Sequence, residues 1–265
     1  MADRYAVIGH PVAHSKSPWI HARFASATRQ DLEYGRIDAD AAGFGAAVEA
    51  FYRSGGKGLN VTLPHKEAAF RLCAETSARA RAAQAVNTLV LRDPIFGDNT
   101  DGAGLVRDIE ANQGYGLRGR RVLLLGAGGA ARGVIGALLG AGVGRLVIAN
   151  RTVERARELA GRFPPAQACG YAELAGERFD VVVNATSAGL QDAALPLPAA
   201  LFTSGMLAYE MVYGRDTAFL AAARGGGASA CDGLGMLVEQ AAESFLVWRG
   251  VRPDTRAVLA ELRAA

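Results

Sequence analysis

The sequence predicts an α/β fold of two lobes, in which an N-terminal α/β domain precedes a doubly wound α/β domain. Short β-rich runs alternate with longer amphipathic runs throughout, as they do in parallel sheets flanked by helices. A connector that contains glycine and arginine, residues 114–121, separates two such series. The chain has 265 residues, half of them hydrophobic, which is enough for two modest domains.

The first series ends near Asp93-Pro94, a dipeptide typical of turns, and is followed by a predicted helix at about 102–113. We take residues 1–101 as the first domain. Its predicted strands are residues 5–8, 32–37, 59–61 and 87–91, and its predicted helices are residues 18–28, 42–53 and 65–74.

The second series defines a second domain over residues 102–235. Two further helices, residues 234–248 and 255–263, close the chain. The predicted strands of this series are residues 122–125, 146–149, 181–184, 207–210 and 228–231.

Composition argues against several classes of partner. The formal net charge is only +3 and the basic residues are scattered, so we expect no nucleic-acid partner. Cys73, Cys169 and Cys231 lie far apart, which predicts neither a metal motif nor a disulfide framework. The most apolar stretch, residues 122–143, contains Arg132 and seven glycines, so we expect no membrane span. No signal peptide is apparent at the N-terminus, and we expect a cytoplasmic protein.

A glycine motif follows the strand predicted at 122–125. Gly126, Gly128 and Ala131 fit the spacing GxGxx(G/A), and a helical run follows them. In dinucleotide-binding folds the first glycine turns tightly, the second admits the pyrophosphate, and the small third residue lets helix pack on strand. An ordinary tight turn is the competing interpretation. The flanking strand and helix favour a Rossmann-like site that binds phosphate at the helix N-terminus.

The end of the next strand favours NADP over NAD. Sites that prefer NAD usually carry an acidic residue there for the ribose 2′-hydroxyl, whereas this chain reads Asn150-Arg151-Thr152, with Arg155 one turn further on. Two guanidinium groups could bind a 2′-phosphate at this place. An exposed helix start with arginine on its outer face is the alternative.

A polar loop follows the strand predicted at 181–184. Ligands of open α/β sheets lie beyond the carboxyl ends of the strands, so Thr186 and its neighbours in Asn184–Gly189 should line the cofactor cleft. The same residues could equally form a capping turn for the next segment.

A serine pair follows the first predicted strand. Ser15 and Ser17 are two residues apart, so their hydroxyls can point the same way in an extended loop and bind a carboxylate or hydroxyl of a small ligand. The alternative is that Ser17 caps a helix with Pro18 as its first residue. His10 and His14 are four apart, but Pro11 interrupts any helix, so a metal role is not expected.

Lys66 is predicted in the first turn of the helix that follows Pro64. A cation is electrostatically unfavourable at a helix N-terminus, so this lysine needs a partner or a purpose. Asp101 begins another predicted helix and is a candidate partner. A Lys–Asp pair could hold an alcohol oxygen and pass a proton as hydride moves. If each residue is considered alone, the simpler interpretation is that Lys66 is a surface lysine and that Asp101 caps a helix.

The motifs together are similar to those of shikimate dehydrogenases. The strings S-K-S-P, N-V-T-L-P-H-K, A-V-N-T, N-T-D-G, G-A-G-G-A, N-R-T, N-A-T-S-A-G and D-G-L-G-M-L-V-E-Q-A occur in the family's order between Ser15 and Ala241. The resemblance implies that Lys66 and Asp101 are the catalytic pair. It implies shikimate contacts for Ser15, Ser17, Thr62, Asn87, Tyr213 and Gln240. It implies NADP contacts for Gly126, Ala127, Gly128, Gly129, Ala130, Asn150, Arg151, Thr152, Arg155, Met211 and Gly233.

The implied activity is the reversible, NADPH-dependent reduction of 3-dehydroshikimate to shikimate, a step of aromatic amino acid and chorismate biosynthesis. Because Gln240 would then contact the substrate, the C-terminal helices 236–265 should complete the first domain, the substrate-binding and catalytic one, and residues 102–235 should bind NADP. The protein is expected to be a monomer or homodimer. Two alternatives stay open, a quinate/shikimate dehydrogenase with broader cofactor use and a non-catalytic paralogue that binds a metabolite.

The chain departs from the family pattern at four positions. Glu210 replaces the usual aspartate before Met211, and Gln84 replaces a common glycine. Arg215 and Ala218 stand where the family often has prolines. The departures at Glu210, Arg215 and Ala218 bear on the loop conformation after Tyr213 and not on the chemistry, and the sequence assigns no consequence to Gln84.

Overall fold

A computed structural model describes residues 2–190 and 193–264, which form two compact units. The first unit comprises Met1–Gly104 and Val238–Ala265, and the second comprises Leu105–Leu237. Each unit contains one six-stranded sheet with helices packed on it. The predicted two-lobed α/β fold is confirmed.

Twelve strands and ten α-helices occur in the described residues. The strands are β1 (Asp3–Gly9), β2 (Leu32–Asp38), β3 (Gly56–Val61), β4 (Glu75–Thr76), β5 (Thr88–Val90), β6 (Phe96–Asp98), β7 (Arg121–Leu125), β8 (Arg145–Ala149), β9 (Gln167–Cys169), β10 (Val181–Asn184), β11 (Leu207–Glu210) and β12 (Ser229–Cys231). The helices are α1 (Ser17–Thr28), α2 (Phe44–Arg53), α3 (Lys66–Leu72), α4 (Ala78–Ala83), α5 (Asp101–Arg107), α6 (Gly129–Gly140), α7 (Val153–Gly161), α8 (Ala218–Gly225), α9 (Leu234–Arg249) and α10 (Arg256–Ala264).

The sheet of the first unit has the order β2-β1-β3-β5-β6-β4. The sequence pattern predicts a parallel sheet. The sheet of this unit is mixed instead, because β5 runs antiparallel to both β3 and β6. The connection from β5 to β6 is a short hairpin around Asp93-Pro94, which can join only antiparallel strands. Strands β4 and β6 and helix α4 were not predicted, since each is too short to show a periodic pattern.

Helices cover both faces of this sheet. One face packs against α2, α3 and α4 through buried residues such as Ile8, Val48 and Ala69. On the opposite face aromatic rings from α1 and α9 meet, with Phe24 and Phe245 5.9 Å apart between ring centroids. The first unit is therefore a three-layered core in which α9, from the end of the chain, supplies part of one layer.

The sheet of the second unit is entirely parallel, with the order β12-β11-β10-β7-β8-β9. Counted from β7, this is the 3-2-1-4-5-6 order of dinucleotide-binding sheets. The strand order reverses between β7 and β10, and ligands of such sheets bind beyond the carboxyl ends of strands at that point. Fully buried side chains alternate between two hydrophobic cores, with Leu124 facing one and Leu123 the other.

The helix predicted at 102–113 changes form partway. It is α-helical over Asp101–Arg107 and continues as a π-helical turn over Asp108–Asn112. The Asp108 carboxylate points inward, where it accepts hydrogen bonds from the Tyr209 hydroxyl at 2.5 Å and the Asn112 amide at 2.9 Å. No helix of the described residues is long and apolar enough to cross a membrane. Cys73, Cys169 and Cys231 are half-buried, and none of these described residues is in a disulfide.

Candidate active site

Lys66 and Asp101 form an ion pair at the N-termini of two helices of the first unit. Lys66 is the first residue of α3, and Asp101 is the first residue of α5. The Lys66 ammonium donates to Asp101 Oδ2 at 2.6 Å. The lysine side chain is 21% exposed and the aspartate side chain only 7%, so the ammonium is open to a small ligand while the carboxylate is enclosed. The two alternatives of surface lysine and capping aspartate do not describe this geometry.

Asn87 holds the second carboxylate oxygen of Asp101. Its amide nitrogen donates to Asp101 Oδ1 at 2.8 Å and to the Thr100 hydroxyl at 2.9 Å. Its amide oxygen accepts from the Thr100 backbone N–H at 2.8 Å. Because a carboxylate only accepts and an N–H only donates, the orientation of the amide is determined. Asn87 is 2% exposed, so this arrangement is shielded from competing water.

Gln240 brings helix α9 to the same cluster. Its side-chain oxygen accepts from the Asn87 amide at 3.3 Å and lies 3.5 Å from the Thr100 hydroxyl. The first residues of α3 and α5, Asn87 just before β5, and Gln240 of α9 therefore meet within the first unit. Gln240 belongs to the first unit, together with the rest of residues 238–265.

The serine pair lies in the loop that leads into α1. The hydroxyls of Ser15 and Ser17 are 3.2 Å apart, and the Ser17 N–H donates to the Ser15 hydroxyl at 3.3 Å. The alternative that Ser17 caps the helix is wrong, because Ser17 is the first helical residue and Lys16 occupies the cap position. Arg36 of β2 anchors the loop by donating to the Ser15 carbonyl oxygen at 2.6 Å.

Two further predicted substrate residues lie in different units. Thr62 directly follows β3, where its N–H donates to the Ile8 carbonyl at 2.9 Å, and its side chain is half-buried. Tyr213 belongs to the second unit, after β11. It is half-buried, and burial raises the pKa of its hydroxyl.

The glycine motif of the second unit has the backbone that phosphate binding requires. Gly126 has φ of +105° between β7 and α6, and a Cβ there would lie 3.2 Å from the Ala185 backbone. Gly128 precedes α6, and a Cβ at this position would meet nothing within 4 Å. Ala131 is fully buried against the sheet. The tight turn, the open approach and the close helix packing are therefore all present.

The N-terminus of α6 is suited to an anion. No side chain caps it, and its first turn has no acidic residue. Ala127, Gly129 and Ala130 bring their backbone into the same turn, so that free N–H groups point outward from the helix end. These residues fit the pyrophosphate of a dinucleotide.

Two arginines follow β8 at the neighbouring strand end. The Asn150 amide donates to the Thr152 carbonyl at 2.8 Å and so holds the turn before α7. Arg151 and Arg155 are exposed, and neither forms an ion pair with any described residue. Both guanidinium groups are therefore available to a phosphate, and the residues fit NADP better than NAD.

The loop after β10 forms a capping turn around Thr186. Thr186 donates its hydroxyl to the Asn184 side-chain oxygen at 2.7 Å and accepts from the Ala188 N–H at 3.3 Å, which makes a capping turn. The same loop lies at the strand end next to Gly126. The capping turn thus holds Thr186 at the carboxyl end of β10, beside Gly126.

Met211 and Gly233 lie against each other in the second unit. A Cβ at Gly233 would collide with the Met211 backbone oxygen, so only glycine fits. Glu210, one of the departures, is fully buried and accepts from the Asn184 amide at 2.7 Å and the Val212 N–H at 3.1 Å. Burial raises the pKa of Glu210 despite these hydrogen bonds.

The other departures are accommodated locally. Gln84 ends α4 with φ of 50°, in the left-handed region that favours glycine, which accounts for the family's usual residue. Ala218 begins α8, whose cap is the Thr217 hydroxyl, so no proline is needed to start the helix. Arg215 is exposed.

Several residues of the cluster were not singled out from the sequence. Thr100 belongs to the N-T-D-G motif but was not predicted to be a site residue, although it contacts both Asn87 and Gln240. Asn60 and Ser244 also lie behind the site and are bonded to each other at 2.9 Å. A polar residue in a buried strand was the available signal for Asn60, whereas nothing in the sequence distinguishes Ser244 from a surface serine.

Sequence profiles of three shikimate dehydrogenase domains match the chain. The shikimate dehydrogenase substrate binding domain matches residues 7–89, shikimate / quinate 5-dehydrogenase matches 109–191, and the shikimate 5′-dehydrogenase C-terminal domain matches 233–263. The shikimate dehydrogenase (NADP(+)) of Dechloromonas aromatica is 58% identical over 270 residues, covering 100% of this chain and 98% of its own. The shikimate dehydrogenase (NADP(+)) of Methylobacillus flagellatus is 58% identical over 269 residues, and the match covers 99% of this chain and 100% of the relative.

Solved structures show the same architecture over the whole chain. An Ael1 enzyme from Pseudomonas putida has a TM-score of 0.94 at 52% identity, with 98% of each chain covered. The shikimate 5-dehydrogenase from Thermus thermophilus, solved with NADP(H) and shikimate, has a TM-score of 0.89 at 37% identity, with 99% of each covered. With relatives of this identity over its full length, the chain belongs to the shikimate dehydrogenase family.

Proposed function

We propose that the protein is an NADP-dependent shikimate dehydrogenase, which reversibly reduces 3-dehydroshikimate to shikimate. The observation that carries this proposal is the Lys66–Asp101 pair, built where a ligand can reach the ammonium group. Membership of the family supplies the substrate and the cofactor. A non-catalytic paralogue is disfavoured, because the ion pair is intact and its partners are ordered around it.

The first unit holds the substrate. The Ser15 and Ser17 hydroxyls lie close enough together to bind one carboxylate or two neighbouring oxygens. The Asn87 amide donates to Asp101, and the Gln240 side-chain oxygen accepts from Asn87. The family resemblance assigns Tyr213 to the substrate as well. The proposed substrate residues are Ser15, Ser17, Thr62, Asn87, Tyr213 and Gln240.

Lys66 handles the proton. NADPH, when bound, supplies the hydride that reduces the ring ketone. Lys66 Nζ donates a proton to the oxygen on which negative charge develops, so that ketone becomes alcohol. Asp101 orients the ammonium group through Oδ2, while Asn87 prevents the carboxylate from turning away. In the reverse direction the same nitrogen accepts the proton from the alcohol.

The second unit holds the cofactor. The backbone between Gly126 and Ala130 would bind the pyrophosphate, and Thr186, Met211 and Gly233 would line the cleft. Arg151 and Arg155, together with Asn150 and Thr152, would hold the 2′-phosphate and thereby select NADP.

We also propose that the enzyme is cytoplasmic. Three cysteines outside any disulfide and a reaction that uses NADPH are consistent with the cytoplasm. The small net charge gives no support for a nucleic-acid partner. We propose a monomer or homodimer, which light scattering after size-exclusion chromatography would determine.

A spectrophotometric assay tests the function. The purified protein is given shikimate or quinate with NADP+ or NAD+, and formation of the reduced cofactor is followed. We expect turnover with shikimate, and kcat/KM at least about tenfold higher for NADP+ than for NAD+, the equivalent of about 1.4 kcal/mol from the phosphate contacts. Higher activity with NAD+ or with quinate would replace the proposal by the broader dehydrogenase, and no turnover with either substrate would favour the metabolite-binding paralogue.

A further inference from the structure

Ser244 lies behind the substrate-binding cluster of the first unit. It is fully buried on α9, one helical turn after Gln240. Its hydroxyl is within hydrogen-bond distance of Thr88 (2.7 Å), Asn60 (2.9 Å) and Thr100 (3.1 Å), and it donates to the Gln240 carbonyl at 3.0 Å. One side chain thus joins β3, β5, the start of α5 and α9.

The direction of the hydrogen bonds around Ser244 can be worked out from groups that have only one role. The Asn60 side-chain nitrogen donates to the Asn87 backbone carbonyl at 3.2 Å, and a carbonyl can only accept, so the same nitrogen faces Ser244 and donates to it. The Ser244 proton then has the Gln240 carbonyl, Thr88 and Thr100 as possible acceptors. Ser244 therefore accepts from Asn60 of β3, and its single proton is available to the Gln240 carbonyl or to one of the two threonine hydroxyls.

Thr88 and Thr100 relay this order to Asn87. Both threonine hydroxyls approach the Asn87 side-chain oxygen, at 2.9 Å and 3.2 Å. Asn87 in turn holds Asp101 Oδ1 at 2.8 Å, and Asp101 orients Lys66. The hydrogen-bonded path from Ser244 therefore reaches Asp101 through Asn87, and Asp101 is hydrogen-bonded to the Lys66 ammonium group.

A hydroxyl at this position is not explained by the helix. Alanine has a higher helix propensity than serine, and a serine that donates back to the carbonyl four residues earlier slightly destabilises its helix. The neighbours of Ser244 are polar groups that an alanine would leave short of one partner each. Removing a partner from a buried polar network costs more than its average hydrogen bond contributes.

We propose that Ser244 is a positioning residue, whose hydroxyl fixes Asn87, Thr100 and the Gln240 turn so that Asp101 presents Lys66 to the substrate. This inference rests on the proposed function and extends it to a residue that touches neither substrate nor cofactor. It places the ordering of the site on α9, which comes from the far end of the chain.

The test is a comparison of Ser244→Ala with wild type in steady-state kinetics. We expect kcat/KM for shikimate to fall about tenfold, the fold-change that corresponds to one buried hydrogen bond of about 1.4 kcal/mol. KM for NADP+ should stay within about twofold, since the cofactor residues belong to the second unit. In an Asn87→Ala background the same change should lower kcat/KM by less than about twofold, because the path through Asn87 is already broken.

Thr255→Val is the matched control. Thr255 is buried just before α10 and donates to Glu239 of α9 at 2.6 Å, but no hydrogen bond among the described residues joins it to Asn87, Thr88 or Thr100. It should lower the melting temperature about as much as Ser244→Ala and leave kcat/KM for shikimate unchanged. Unchanged kcat/KM in Ser244→Ala, or an equal loss in the Asn87→Ala background, would overturn the inference alone. A wild-type protein without shikimate activity would overturn the proposed function and this inference with it.

Discussion

His21 shows at the scale of one residue how burial determines protonation. Its ring is fully buried on α1 and stacks on Tyr34 with 4.2 Å between centroids and 3° between planes. Neither ring nitrogen has a hydrogen-bond partner among the described residues. Burial lowers the pKa of His21 to about 3, so the ring is neutral in the folded protein.

The pKa of His21 makes stability depend on pH. The unfolded chain binds a proton near pH 6.5 and the folded chain only near pH 3, so stability is lost as the pH falls through this window. We expect wild type to lose up to about 1.4 kcal/mol per pH unit relative to His21→Leu below pH 6.5. Urea unfolding of both proteins at several pH values between 7.5 and 4.5 measures this. A stability difference that does not change with pH would show that His21 can take up its proton while folded.

Some of the site residues were identifiable one at a time and others were not. Lys66 was conspicuous because a cation at a helix N-terminus needs a partner, and Asp101 is that partner. Ser17 shows the opposite, since Ser-Pro before an apolar run indicates a helix cap and the helix begins one residue earlier. The position of a helix start depends on local hydrogen bonds, here that of Ser17 N–H to Ser15, which composition does not reveal.

At the scale of elements, the turn from β6 into α5 carries the site and is held from two sides. Asp98 accepts from Arg79 at 2.6 Å and 2.7 Å and from Ser77 at 2.5 Å, and its Oδ1 also accepts the Asn99 N–H at 2.7 Å. Burial opposes ionisation of Asp98, but these hydrogen bonds outweigh it and hold the pKa below its usual range. Arg79 also reaches Glu243 of α9 at 3.0 Å. Hydrogen bonds and ion pairs through Arg79 thus connect the turn before Asp101 to α4 and to α9.

Removing Arg79 should destabilise the first unit strongly. Arg79→Met would leave the buried Asp98 carboxylate without its charge partner, and we expect a loss of about 3–5 kcal/mol in the free energy of unfolding. Arg92→Met is the control, because its pair with Glu75 is about half exposed at both ends and should contribute less than about 1 kcal/mol. Urea unfolding of the two variants measures the difference. Similar losses in both would mean that the turn does not depend on Arg79.

Elements with a long periodic pattern were predictable, and short ones were not. The strand β10 lies where the run of valines predicted it, and β7 with α6 follows the glycine motif. The reversal of β5 was missed because a three-residue strand has no direction in its sequence. Direction is decided by the length of the connection, and the hairpin after β5 is too short to return the chain for a parallel pairing.

At the scale of the whole molecule, the two units were recognisable by different signals. The second unit follows from the glycine motif and the regular strand spacing, and its strand order agrees with that motif. The first unit was assembled from short motifs whose meeting point no local pattern indicates. Gln240 is 139 residues beyond Asp101 in sequence, yet both contact Asn87. Such long-range proximity depends on packing, and the resemblance to a family supplied it where the residues alone did not.

The most direct test of the account is the effect of Lys66→Ala on shikimate oxidation with NADP+. We expect turnover to fall by about two powers of ten or more, because proton transfer at the substrate oxygen loses its donor and acceptor. The dissociation constant for NADPH, measured by fluorescence titration, should stay within about twofold. Lys57→Ala, an exposed lysine on β3, should behave as wild type. A Lys66→Ala enzyme with undiminished turnover would contradict the assignment of the Lys66–Asp101 pair as the catalytic centre.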